Sequence, residues 1–155
     1  MAKKPQTGLD QSQQTSWDLS KLFKSDDDPK ITKELNLVSM KTDDFTEKWR
    51  GREDYLQDAE ILLNALKEYE NWLKYTGTSG VQGFYFGLRR AQDQLAPKLK
   101  AEENKLHDFS VKLANKMQFF ELSLAKIPEE KQKEFLNNPL LVDYRHYLAQ
   151  RSRAA

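Results

Sequence analysis

The stretch LKAEENKLHDFSVKLANKMQFFELSLAKI, residues 99–127, decides the fold class. Its large apolar side chains Leu99, Leu106, Phe109, Leu113, Met117, Phe120, Leu124 and Ile127 follow one another at spacings of seven, three, four, four, three, four and three. That rhythm matches the 3.6-residue period of an α-helix and puts all eight along one face, whereas a strand would alternate. The stretch therefore predicts a helix of about eight turns, long enough to be the spine of a bundle.

Working outward, Pro128, Glu129 and Glu130 start a further short helix that ends near Asn137, Asn138 and Pro139. A last amphipathic piece carries Leu141, Tyr144, Tyr147 and Leu148. Upstream, Asp93 and Pro97 mark a break. Before it, Thr78 to Gln92 carries Gly80, Gly83 and Gly87 around Phe84, Tyr85 and Phe86. Each glycine weakens a helix by ~1 kcal/mol relative to alanine. The glycines are read as a packing signal that lets another helix approach closely, and helix is preferred over a bulged strand because no second strand exists to pair with it.

Further upstream, Ile31, Leu35, Val38, Thr42, Phe45 and Trp49 form one helical stripe that stops at Gly51. A second runs through Tyr55, Ala59, Leu62, Leu66, Tyr69 and Leu73 to Gly77, widened by Leu56, Leu63 and Trp72. Pro29 suits a first helical turn, with Asp27 or Asp28 as its cap. Trp17, Leu19, Leu22 and Phe23 make a small apolar anchor ahead of it. The reading is all-α: an irregular bundle of about five or six helices with one long central helix. Residues 1–15 are too polar to offset their ordering entropy and are expected to be a disordered lead-in, followed by one helical domain over 16–155.

Composition narrows the function classes. At 155 residues one domain with one core is the expectation. The 25 Lys and Arg nearly cancel the 24 Asp and Glu, so no whole-chain field draws the protein to nucleic acid or to anionic lipid. No apolar run approaches the ~20 residues that cross a bilayer, and Met1 to Gln14 lacks the apolar centre of a secretory signal. The absence of cysteine excludes disulfides and thiol nucleophiles and fits a cytoplasmic location.

Catalytic chemistry is not evident. His107 and His146 each lack a second histidine three or four residues away, the spacing of a helix-borne metal site, so both are read as surface histidines and no metal ligand is assigned. The pairs Glu102–Glu103 and Glu129–Glu130 sit on charged faces, without the cleft that would separate their proton affinities. The basic pairs Arg89–Arg90 and Lys112–Lys116 are read as solvated faces. The aromatics Trp49, Tyr69, Trp72, Phe84, Phe86 and Phe120 are read as core, with a peptide groove as the alternative.

Taken in order, several segments carry a resemblance: Trp17-Asp18-Leu19-Ser20 with Leu22-Phe23 and Asp28-Pro29; Phe45-x-x-Lys48-x-Arg50-Gly51; an aliphatic helix ending in Tyr69-Glu70; an aromatic helix leading to Asp93; Phe119-Phe120-Glu121-Leu122; and, after Asn138-Pro139, Tyr144-Arg145-His146-Tyr147-Leu148. From Trp17 to Leu148 the chain resembles the N-terminal helical region of oligoendopeptidase F, in the thimet-oligopeptidase-like superfamily of zinc metallopeptidases. The resemblance implies a lid-type domain that walls and covers a channel for short peptides, with Tyr85, Phe86 and Arg89 as candidate channel-facing side chains and helix packing as their alternative role. The family's His-Glu-x-x-His helix is not in this sequence. The resemblance therefore implies a piece of a longer enzyme, in which zinc and the catalytic domain are supplied by the missing part. No catalytic residue and no cofactor are expected here. A stand-alone helical protein-protein interaction module is the other reading.

Overall fold

The computed structural model describes residues 17–76 and 80–152. The expected lead-in and the expected stop at Gly77 lie outside them. Among the described residues there are α-helices only, joined by turns and short 3₁₀ segments: α1 Pro29–Trp49, α2 Ala59–Thr76, α3 Gly80–Gln92, α4 Pro97–Ala125, α5 Glu129–Asn137 and α6 Arg145–Ser152. The all-α irregular bundle is thus the observed architecture, and residues 80–92 are helix and not strand.

Local chemistry sets the boundaries. Pro29 opens α1, and of the two candidate caps Asp28 serves: one carboxylate oxygen accepts the Lys30 N–H at 2.9 Å and the other the Lys24 N–H at 2.8 Å. The carboxylate thus satisfies an otherwise orphaned helix donor. Gly51, at φ +80°, supplies the left-handed residue just beyond the end of α1. Tyr55 and Leu56 form a separate 3₁₀ turn, Asp54–Leu56, ahead of α2, although Tyr55 is buried in the same cluster as Leu62, Leu66 and Tyr69. That helix starts afresh where Asp58 accepts the N–H groups of Glu60 (2.9 Å) and Ile61 (3.0 Å). Its buried row is Leu62, Ala65, Leu66, Tyr69 and Trp72, and Leu73 turns outward.

The glycines of α3 need a correction. Gly80 sits at φ +68°, a conformation an L-residue resists. A Cβ on Gly87, however, would meet nothing within 4 Å, so no neighbouring helix requires a glycine there.

The single expected core is two clusters. The larger gathers Phe45 and Trp49 of α1, the buried row of α2, Leu113 to Leu124 of α4, and Phe135, Leu141 and Leu148 from the C-terminal pieces. The smaller holds Phe23, Ile31, Tyr85, Phe86, Leu99 and Leu106. Helices α1 and α4, 21 and 29 residues long, extend about 32 and 44 Å at 1.5 Å per residue. They outreach α2 and α3, so each packs one half against either cluster. The Leu99–Ile127 stripe is buried as expected apart from Phe109, which is half-buried, with Ile127 just past the helix end.

Thr42 shows how a polar residue joins an apolar stripe. Its hydroxyl donates to Val38 O at 2.8 Å and accepts the Trp72 indole N–H at 2.8 Å, in a site with no solvent exposure. Thr42→Val keeps the shape but strands the indole donor, and is expected to cost about 1–3 kcal/mol. Urea denaturation followed by tryptophan fluorescence measures it, and a loss below about 0.5 kcal/mol would contradict the account.

Candidate functional site

Two polar centres join elements that are remote in sequence. The first lies on the outer edge of the larger cluster. The Tyr69 hydroxyl on α2 donates to Glu121 Oε1 on α4 at 2.9 Å, and Arg151 on α6 donates to the same oxygen at 2.7 Å. One helical position further along α2, the Glu70 carboxylate accepts the Tyr144 hydroxyl at 2.6 Å. Tyr69 also stacks on Trp72, with ring centroids 5.7 Å apart, and approaches Tyr147 at 6.4 Å. Burial, more than the neighbouring charges, raises the proton affinity of Tyr69; burial followed by the Glu70 bond pushes Tyr144 up to about 12. These phenols stay protonated at neutral pH and act as donors that pin helices together. The Tyr147 hydroxyl and Arg151 Nε are buried beside them with no hydrogen-bond partner among the described residues.

The second centre is Asp26, in the arm that precedes α1. Oδ1 accepts the Tyr85 hydroxyl and Arg89 Nε, each at 2.8 Å, while Oδ2 accepts Arg89 Nη2 at 3.0 Å. The bidentate Arg89 bond holds the Asp26 carboxyl below its usual range against the opposing effect of burial. Burial and the facing carboxylate push Tyr85 up to about 12. Around this centre the arm is tied down twice more, by Gln92 Nε2 donating to Trp17 O at 2.9 Å and by Lys98 donating to Asp27 at 2.7 Å.

The candidate residues Tyr85, Phe86 and Arg89 are thus placed together. Tyr85 and Phe86 are 3% and 1% exposed within the smaller cluster, where Phe23 meets Tyr85 edge-on at 5.2 Å, and Arg89 is spent on Asp26. Their described contacts are those of helix packing. Of the six aromatics read as core, five are buried and Phe84 is 58% exposed. Of the basic pairs, Arg89 and Arg90 are half-buried and bonded to Asp26 and Glu103, whereas Lys112 and Lys116 lie exposed on α4, with Lys116 reaching Asp43. His107 is exposed on α4, and His146 Nε2 lies 2.9 Å from Gln150 Nε2. Among the described residues no group of three or more His, Cys, Asp or Glu is placed to hold a metal ion. Among the described residues no helix is long and apolar enough to cross a membrane.

Between the two clusters lies a cavity of about 270 Å³ lined mainly by Leu35, Val38, Trp72, Leu106, Phe109 and Leu113. Among the described residues its polar lining is Tyr75, Thr76, Gln82 and Ser110. Asp26, Glu70 and Glu121 escaped the sequence reading as centres. Asp26 was part of an acidic run taken as helix-capping, and no periodicity links a carboxylate to a phenol 52 to 74 residues away. Comparison with protein-family models, with curated proteins and with solved structures finds no match to this chain.

Proposed function

We propose that this chain is the lid-forming N-terminal helical region of a zinc-dependent oligoendopeptidase acting on short peptides. The observation that carries the reading is that four of the segments quoted for the resemblance to oligoendopeptidase F meet one another in the larger cluster. Phe45 packs against Phe119 and Phe120, and Tyr69-Glu70 is bonded to Glu121 and Tyr144. The other two segments meet in the smaller cluster, where Phe23 packs on Tyr85. Contacts of this kind support reading the motifs as a set. Its role is steric. Long helices braced at both ends by carboxylate-centred networks form a stiff wall that admits an extended peptide and excludes a folded domain. In this reading the zinc and its chemistry belong to another part of the enzyme.

Purified after chelation and zinc readdition, the chain is expected to retain far less than stoichiometric metal and to leave fluorogenic oligopeptides uncut, while the coding sequence after Ala155 continues into His-Glu-x-x-His. Stoichiometric zinc with peptide hydrolysis, or a stop codon directly after Ala155, would overturn this assignment. The second reading, a helical interaction module, is favoured by one observation. Leu37, Met40, Leu73, Tyr75, Val81 and Phe84 are all exposed, and they gather where α1, the end of α2 and the start of α3 meet.

A further inference from the structure

The outward side of α1 carries a second apolar row. Its core row faces Trp72 and Phe120, but Leu37 and Met40 point away from both clusters, and Met40 is 54% exposed. Across from them on α3 stand Val81 and Phe84, one helical turn apart, with Tyr75 closing one end. Between the two helices runs a groove of about 500 Å³. Exposed apolar side chains gathered in one concavity, instead of scattered singly, are the ordinary signature of a binding surface.

Around it two lysines are paired with acids, Lys30 with Glu34 and Lys74 with Glu70, and two more add positive charge. Lys30, Lys33, Lys41 and Lys74 border the groove and its continuation along α1. Lys33 and Lys41 have no carboxylate partner among the described residues, and Lys41 lies over the Tyr75 ring at 4.4 Å. The one acid in the groove wall, Glu34, is already engaged by Gln82 at 2.9 Å and Lys30 at 3.5 Å. Glu70, 3.7 Å from Lys74, also holds Tyr144, and Asp44 lines the next depression along α1. In a chain whose formal charge is only +1, this local surplus of lysine is a feature of the site.

From this geometry we infer that the groove between α1 and α3 docks an acidic amphipathic helix of another polypeptide, its apolar anchors seated over Leu37, Val81 and Phe84 and its carboxylates facing the lysine rim. A groove with apolar side chains from both α1 and α3 suits anchors at i, i+3, i+4 and i+7. A second copy of this chain is disfavoured, because a twofold pairing of like patches sets lysine against lysine. A bilayer is disfavoured because the apolar surface is concave and its side chains line a trough instead of projecting from a ridge. The inference does not depend on the peptidase reading, since it concerns a surface that neither polar centre uses.

The test uses two synthetic helical peptides with identical Leu and Phe anchors, one flanked by glutamate and one by lysine, titrated against the chain and followed by anisotropy. The glutamate-flanked peptide is expected to bind saturably, at least about tenfold more tightly than its lysine twin, and more weakly as salt rises. Phe84→Ser is expected to weaken it at least about tenfold, and Lys33→Glu with Lys41→Glu to reverse the preference between the peptides. Phe84 and Lys33 are exposed and Lys41 is half-buried, so circular dichroism should show an unchanged helical signal, and the charge-reversal pair keeps the test decisive if Phe84→Ser misfolds. Equal affinity for the two peptides, or none for either, overturns the inference. So does a concentration-dependent dimer abolished by Phe84→Ser, or tighter binding to phosphatidylserine vesicles than to either peptide.

Discussion

Phe120→Ala is expected to lower the free energy of unfolding by about 3–5 kcal/mol, the range for emptying a large aromatic site in a core that relaxes only in part. Phe120 has no solvent exposure and stands between three helices and a turn. Its ring meets Phe45 of α1 edge-on at 5.3 Å, Tyr69 of α2 at 5.0 Å and Tyr55 of the 3₁₀ turn at 5.6 Å. Removing it loses the apolar transfer term and these three pairs together with a fourth to Phe119 at 6.4 Å, each worth about 0.5–1.5 kcal/mol beyond area. Against a total stability of roughly 5–15 kcal/mol for a domain of this kind, that is enough to unfold a marginal protein. Denaturation followed through Trp49 and Trp72, both in the same cluster, gives the value. Phe84→Ala is the internal control: on the exposed side of α3 it is expected to stay within about 0.5 kcal/mol of the wild type. A Phe120 variant losing less than about 1 kcal/mol would mean that the larger cluster is not held at this point.

Why the long helix was legible and the two clusters were not follows from what each depends on. The 99–127 stripe is a local property: seven of its eight apolar residues point inward because the helical period puts them on one side, whatever they pack against. The same logic gave α1, including the position of Thr42 in the stripe, though not its bond to Trp72. For α2 it gave the buried residues Leu62, Leu66 and Tyr69, but it ran the helix back to Tyr55, which sits in a 3₁₀ turn of its own, and took in Leu73, which is exposed. No local signal separates Leu106, which packs in the smaller cluster, from Leu113 one repeat later, which packs in the larger. That division depends on where α2 and α3 lie across α4.

The polar centres were hidden for a related reason. Asp26 and Glu121 look, in sequence, like any acid in a chain that is 32% charged. Only tertiary placement distinguishes Asp26, bonded to Arg89 63 positions away, from Asp27, whose salt bridge to Lys98 is solvent-exposed. Tyr85 and Arg89 were singled out together from the sequence, and the structure does bring them together, around a carboxylate that was not singled out with them.

That carboxylate should be the hinge between arm and bundle. Asp26→Asn is expected to cost about 2 kcal/mol at neutral pH. A charge-assisted bidentate bond contributes about 1.5–3 kcal/mol, with some screening because Arg89 and Asp26 are 30% and 19% exposed. The amide is isosteric, so the loss reports charge and bonding rather than volume. The acid limb carries the sign. Because Arg89 depresses the folded-state pKa of Asp26, the stability it confers is present above about pH 4, the ordinary carboxylate value. It is lost as pH falls through the lower folded-state value. Wild type should therefore lose stability faster than Asp26→Asn between about pH 4 and pH 2, the two curves converging at the acid end. The effect should also be local. The arm 17–28 is held to α3 and α4 by Asp26, Asp27 and the Trp17 carbonyl, so loosening the strongest of these ties should speed tryptic cleavage after Lys21 and Lys24 before it unfolds the larger cluster. Parallel pH curves for the two proteins, with equal cleavage rates in the arm, would show that Asp26 holds nothing in place.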